Sequence, residues 1–438
     1  MAHSASSITS LPVQYTISTR VFGCTHSPSV EKKFYASCKD LNSPVEKLFL
    51  NETAATAALE RANIPKAVRS FVSFSSDPTH MKRWEHAANI KFTSVDGVPA
   101  VEADFQSLTR DLGACIAIPQ LYGQDFLDRN PTLLSDFWTF DNELFPLAII
   151  GVPRWAPIKP VRDGIAAQSR LHLALQEFYH RVAQLEANQP IDFNANLSDI
   201  SPIPLSRIKT YVAHDWTPKE RGQIELGLLW GQNANTQPVL FWLLTYVYST
   251  PGLLPRVRQE ITPYLTLDGK GELTALDIAS LSRSCPLLKA CIYETYRLVN
   301  EANSIRYLTS PVPLSSSSST TTTLPSHTFI SALMSLPDHD PTVYTSPETF
   351  VPERFLETSA DGKLVARYGK LRPWGVGAGM CKGRTFAEKE ILAVGAAVMG
   401  MWDVGPVGGK WELPERIPGT GVQKPVRDVR VVITRRGV

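Results

Sequence analysis

The chain has no run of about 18 consecutive apolar residues, the least that a membrane-crossing helix needs. Its first residues, MAHSASSITSLPVQYTI, do not pair a charged stretch with an apolar one and do not read as a secretory signal. Cysteine is scarce: Cys24, Cys38, Cys115, Cys285, Cys291 and Cys381 form no C-x-x-C pair and no Cys/His spacing suited to zinc. Six cysteines in 438 residues make no disulfide framework and point to a reduced, intracellular protein. Charge of one sign is also lacking, with 44 Lys and Arg against 42 Asp and Glu and a net charge of +2. That balance argues against nucleic acid as a partner.

An apolar content of 43% over this length can bury a large core. Residues 12–35 alternate as a strand would, with Val13, Tyr15 and Ile17 two apart. From about 52 to 300 the apolar spacing is mostly helical. Within it, 133–187 reads as two amphipathic helices parted by Pro153-Arg-Trp-Ala-Pro157, and 218–249 as one long helix. Short strands return from 305 to 375, and 421–436 reads as a hairpin. The hydroxyl run Ser315 to Thr323 can bury nothing and reads as a flexible surface loop. The expected fold class is α+β, mainly α, in a single domain over 1–438.

Three segments carry chemistry. The first is Pro373-Trp-Gly-Val-Gly-Ala-Gly-Met-Cys381-Lys-Gly-Arg384, which runs into a helical stretch from Thr385 to Met401. Glycines without a Cβ let its backbone pass close to something flat, and Trp374 can pack against a ring. The loop delivers Cys381 just before a helix N-terminus, where N–H groups favour a thiolate. The second is Cys285-Pro-Leu-Leu-Lys-Ala-Cys-Ile-Tyr-Glu294-Thr-Tyr-Arg297, in which Leu287, Cys291, Glu294 and Leu298 share one helical face. A carboxylate on an apolar stripe needs a partner, and Arg297 is one candidate. The third, Pro352-Glu-Arg354-Phe355, offers a second arginine to the same glutamate.

Glu294-x-x-Arg297, Pro352-Glu-Arg354-Phe355 and Trp374-Gly-x-Gly-x-x-x-Cys381-x-Gly383, in that order, resemble the cytochrome P-450 (heme-thiolate) family from about residue 12 onward. The resemblance implies the cytochrome P-450 fold and a heme b whose iron takes Cys381 as axial thiolate, a ligand that favours O–O cleavage. It implies cofactor contacts from Trp374, Gly375, Gly377, Gly383 and Arg306, the last toward a heme propionate. It also implies a structural triad of Glu294, Arg297 and Arg354.

The sequence departs from the family pattern at several positions. Gly379 stands where an arginine or histidine is usual. The early Trp-x-x-x-Arg motif finds only Arg83-Trp84-Glu85-His86, with Ala88 in the arginine's place. The usual N-terminal membrane anchor, proline hinge and first helix are not found in the sequence, which suggests a shortened chain or a soluble variant. In Gly231-Gln-Asn-Ala234-Asn235-Thr236 the family's acid and threonine become Ala234 and Asn235, and neither is a hydroxyl proton relay. The string from Trp230 to Pro238 resembles the branch holding sterol 7α-hydroxylases and prostacyclin synthase. Phe386-Ala-Glu388-Lys-Glu390 looks like fungal members.

By this resemblance Asn235, Ala234 and Thr236 are the candidate catalytic residues. The pocket is expected from Trp230, Asn233 and Ala234, from Val299 to Ile305 and from Ile417 to Gly421, roofed by residues near 70–95 and 133–185. A bulky, mostly apolar substrate such as a polyketide, terpenoid or steroid fits these segments. The implied activity is a monooxygenase of fungal secondary metabolism. Electrons come from NADPH through a reductase, for which Lys382, Arg384 and Lys389 offer a basic footing. The chain is expected as a monomer, at the endoplasmic reticulum membrane surface. A heme-thiolate isomerase or dehydratase, and an inactive heme-binding remnant, are the alternatives.

Overall fold

The computed structural model describes residues 7–75, 77–301, 303–315, 321–419 and 421–437. Helices form most of it, with small antiparallel sheets set around them.

The N-terminal part is helical where strands were expected. Leu11–Arg20 and Pro28–Phe49 are helices, and Ile8–Thr9 is a short strand before them. Pro12 and Pro28 sit at helix starts, where a missing N–H costs nothing. The Ser27 hydroxyl accepts from the Val30 N–H and caps the second helix. Its buried face, Val30, Phe34, Cys38, Leu41, Val45 and Phe49, recurs every three or four residues. In the first helix the buried pair is Val13 and Tyr15, a two-residue spacing that imitates a strand. The Tyr15 hydroxyl bonds the His26 ring at 3.1 Å, which helps hold that helix in place.

The expected break in 133–187 is present. Leu133–Thr139, a π turn at Phe140–Leu144 and Phe145–Ile150 run on, and Lys159–Glu186 begins after the two prolines. The long helix expected over 218–249 is instead two, Pro218–Asn233 and Thr236–Ser249, with Ala234 and Asn235 between them. Pro238 has no N–H to return to the carbonyl of Ala234, four residues earlier, so the ladder opens there. Thr217 and Glu220 form a reciprocal cap at the start of the first helix.

The helix Arg384–Met401 follows the cysteine loop and packs against Thr236–Ser249 and Pro286–Val299. In the loop, Gly375 (φ +73°) and Gly377 (φ +65°) adopt left-handed backbone that a side chain would strain.

The largest sheet has the order Trp402–Pro406, Arg430–Arg435, Val98–Asp104, Lys91–Val95. Arg430–Arg435 is therefore an inner strand of that sheet and not an arm of a 421–436 hairpin. Lys424–Pro425 pairs with Arg416–Ile417 instead. A second sheet sets Asn303–Leu308 between Ile8–Thr9 and Phe329–Leu333. The hydroxyl run is not all loop, because Val312–Ser315 and Thr321–Leu324 pair with each other. Cross-strand partners let these threonines extend, and residues 316–320 lie outside the described residues. No described helix is long and apolar enough to cross a membrane.

Candidate functional site

The cysteine loop, the broken helix pair and the strand Asn303–Leu308 enclose a cavity of about 420 Å³. One wall is the loop itself: Trp374, Gly375, Gly379, Cys381 and Gly383. The facing wall comes from the break, with Gly231, Gln232, Asn235, Thr236 and Val239. Arg306 and Lys382 are cations in the lining, and no described lining residue is acidic.

Cys381 is anchored by its own N–H, which donates to the Trp374 carbonyl at 2.9 Å. It is exposed and lines this recess, yet the surrounding protein still desolvates the sulfur. Burial pushes the thiol up from its ordinary value. The Gly383 and Arg384 N–H groups and the charges of Arg384 and Lys382 pull the other way without prevailing. The N–H groups at the helix start thus favour a thiolate, but burial outweighs them. A thiolate here needs further positive charge, as a metal ion would supply.

Arg306 explains the unusual Gly379. A Cβ at position 379 would lie 2.1 Å from the Arg306 guanidinium, so the arginine fills the space a side chain there would need. Its nitrogens donate to the carbonyls of Ile305 at 2.7 Å and Val376 at 3.3 Å. Among the lining residues, the Oδ1 atoms of Asn235 and Asn300 are buried without a hydrogen-bond partner, as is the Tyr296 hydroxyl. A flat apolar group with an anionic edge suits this set: glycines where it lies close, a guanidinium for the anion, one thiol for a metal. The residues present therefore fit a heme.

Glu294, Arg297 and Arg354 meet in the core below the loop. Arg297 donates twice to Glu294, at 2.8 Å each, and both side chains are fully buried. Arg354 Nε reaches Glu294 Oε1 at 3.1 Å, where the Val351 N–H also donates at 3.0 Å. Arg297 further donates to the Asp338 carbonyl. All four Glu294 contacts are donors, which compensates its removal from water.

Several expected site residues stand elsewhere. Ala234 is buried in the core rather than in the lining, because the break turns Asn235 and Thr236 toward the cavity instead. Trp230 stacks on Phe145 at 4.7 Å and donates to Asp141 at 2.8 Å, and Asn233 donates to the Leu229 carbonyl. Gly377 lies in the turn but not in the lining. None of the described lining residues comes from 70–95 or 133–185, and Ile417 is exposed. Val45 and Phe49 line the cavity beside the helix that follows Cys381, the Phe49 ring 4.7 Å from Phe386. Both lie on the buried face of the helix Pro28–Phe49, beyond the 12–35 segment read as strand. Trp84 and Arg83 bond carbonyls of Phe71, Leu127 and Asn130, away from the cavity.

The cations of the expected basic footing all have partners within the chain. Lys382 meets Glu46 and Lys389 meets Glu52, both at 3.1 Å, while Arg384 donates to the Cys381 carbonyl.

The family model for cytochrome P450 matches residues 215–425. A cytochrome P450 monooxygenase of Gibberella zeae is 26% identical over 336 residues, 74% of this chain and 61% of that protein. Cytochrome P450 7B1 of Mus musculus is 26% identical over 288 residues, 63% of this chain and 53% of that protein. A 25-hydroxycholesterol 7-alpha-hydroxylase of Rattus norvegicus is 26% identical over 288 residues, 63% of this chain and 65% of that protein. The chain thus spans less than two thirds of the length of these relatives. A crystal structure of a cytochrome P450 superposes with a TM-score of 0.64 at 15% identity, covering 98% of this chain and 88% of that one. The cysteine loop, broken helix pair and buried Glu–Arg–Arg cluster all lie within the matched span 215–425, so the chain is similar there to the cytochrome P450 family and shares the fold of a cytochrome P450.

Proposed function

We propose that this chain is a heme-thiolate monooxygenase that inserts one oxygen atom from O2 into a bulky, mostly apolar substrate. The observation that carries this reading is one cavity holding the Cys381 thiol, the Arg306 guanidinium and the side chains of Asn235 and Thr236. A bound heme supplies oxygen activation and redox chemistry there. Cys381 holds the iron, and Arg306 binds the anionic edge in the space Gly379 leaves. Asn235 offers its unpartnered amide oxygen to a water or substrate hydroxyl, and Thr236 adds a hydroxyl beside it. Phe49, Phe386 and Val239 exclude bulk water, which strengthens polar contacts inside.

A sterol- or terpenoid-sized substrate in fungal secondary metabolism is supported by the fungal and sterol-hydroxylating relatives. Reduction by NADPH through a separate reductase follows from the same reading. Ile150 and Trp155 are 75% and 81% exposed near Lys159 and Arg162, which supports contact with a membrane surface such as the endoplasmic reticulum. A second reading, an isomerase or dehydratase of an oxygenated substrate, is favoured by the amide at 235 in place of a hydroxyl relay.

Turnover of sterol and terpenoid panels with NADPH, reductase and isotopically labelled dioxygen separates the two. Label in the product and a strict need for NADPH are expected. Conversion of a hydroperoxide substrate without NADPH would instead favour the isomerase.

A further inference from the structure

Trp374 forms part of two cavities at once: the main one and a smaller polar recess of about 180 Å³ on its other side. Lys289, Arg384, Glu388 and Lys389 line that recess. A continuous set of oxidisable rings crosses the wall between them. Tyr296 lines the main cavity and meets Trp374 edge-on, 5.1 Å between centroids. The Trp374 indole N–H donates to the Tyr368 hydroxyl oxygen at 3.0 Å. Tyr368 stacks on Tyr293 with centroids 4.0 Å apart, the shortest ring separation among the described aromatic pairs.

Both phenols point to one carboxylate. Tyr368 donates to Glu388 Oε2 and Tyr293 to Oε1 at 3.4 Å, while Lys289 sits 3.6 Å from the same group. Phenylalanine at these positions would pack as well, because ring stacking needs no hydroxyl. Two hydroxyls on one base, at the end of an aromatic chain that starts at the cavity, suit a tyrosine that gives up a proton with its electron. Burial and the Glu388 charge push the Tyr368 phenol far above its ordinary value, so it holds that proton at rest.

We propose that Tyr368 is a redox-active tyrosine that drains oxidising equivalents from the cavity through Trp374 and passes its proton to Glu388. The inference rests on the heme-thiolate reading. Hydrogen peroxide acting in the heme-loaded cavity is the oxidant, and a small thiol in solution is the reductant. In each passage Trp374 yields one electron to the cavity and regains it from Tyr368. The phenolic proton moves to Glu388, leaving a neutral tyrosyl radical and a protonated carboxyl. The thiol then returns one electron to Tyr368, and Glu388 returns the proton. Two passages reduce one peroxide to two waters and join two thiols as a disulfide, the thiols supplying both protons and both electrons.

The test mixes heme-loaded protein with hydrogen peroxide and follows radicals by freeze-quench electron paramagnetic resonance. Each sample is first checked for the thiolate carbon monoxide band. A tyrosyl signal narrowed by ring-deuterated tyrosine is expected in the parent protein. Tyr368→Phe, which keeps the stack, should lose it, and Glu388→Gln, which keeps an acceptor but no base, should slow its rise. An unchanged tyrosyl yield in Tyr368→Phe with the band intact overturns the proposal alone. Absence of the band in the parent protein overturns the heme reading and the route with it.

Discussion

Gln237 donates its side-chain amide to Glu390 at 3.2 Å, joining the helix Thr236–Ser249 to the helix that follows Cys381. The contact is buried, and two oxygens, Gln237 Oε1 and Glu390 Oε2, have no partner in it. A proton on Glu390 Oε2 would turn one of these two partnerless oxygens into a donor. Gly113 leaves room for the amide, since a Cβ there would lie 1.8 Å from Gln237 Oε1.

Burial pushes Glu390 up from 4.5 to about 8. A carboxyl raised by folding stabilises the protein fully below 4.5, and that contribution is lost as pH rises toward about 8. The loss over this window is on the order of 3–5 kcal/mol. Urea unfolding should therefore give a stability that falls from pH 5 to pH 8. Glu390→Gln removes the ionisation while keeping a donor and an acceptor, and its profile should be flatter. Equal slopes for the two proteins would rule out Glu390 as the source.

The Glu294 cluster makes a separate prediction. Arg297→Ala leaves Glu294 fully buried with Arg354 as its remaining charged partner, which should cost about 3–5 kcal/mol. Denaturant midpoints at unchanged slope would measure it. A loss under about 1 kcal/mol, the range of a surface pair, would contradict the account.

Arg306 and Gly379 compete for one space. Gly379→Ala should displace the guanidinium and weaken retention of heme, seen as faster transfer to apomyoglobin. Arg306→Lys, a point charge lacking the planar fork, should weaken it as well. Retention equal to the parent protein in both variants would remove Arg306 from the heme contacts.

The motifs around Glu294, Arg354 and Cys381 were legible because each is local and their order is itself informative. What the order could not reveal is which neighbours fill the space between them. The Arg306 guanidinium occupies the place left by Gly379, and only a folded backbone brings those two positions together. The distal wall misled for a different reason. Pro238 was visible, but its consequence falls four residues earlier, at Ala234, and redirects Asn235 and Thr236 rather than Asn233. The N-terminal helices were misread on period. Val13, Tyr15 and Ile17 alternate, yet Val30, Phe34, Cys38, Leu41 and Val45 carry a helical face that brings Phe49 to the cavity.

The central claim is that Cys381 ligates a heme iron, with the metal supplying the positive charge that the loop alone does not. The carbon monoxide difference spectrum of the reduced, heme-reconstituted 438-residue chain tests it most directly. The account predicts a red-shifted thiolate band that disappears in Cys381→Ala. Failure to bind heme, only the band of a neutral thiol, or a thiolate band that survives Cys381→Ala would contradict it.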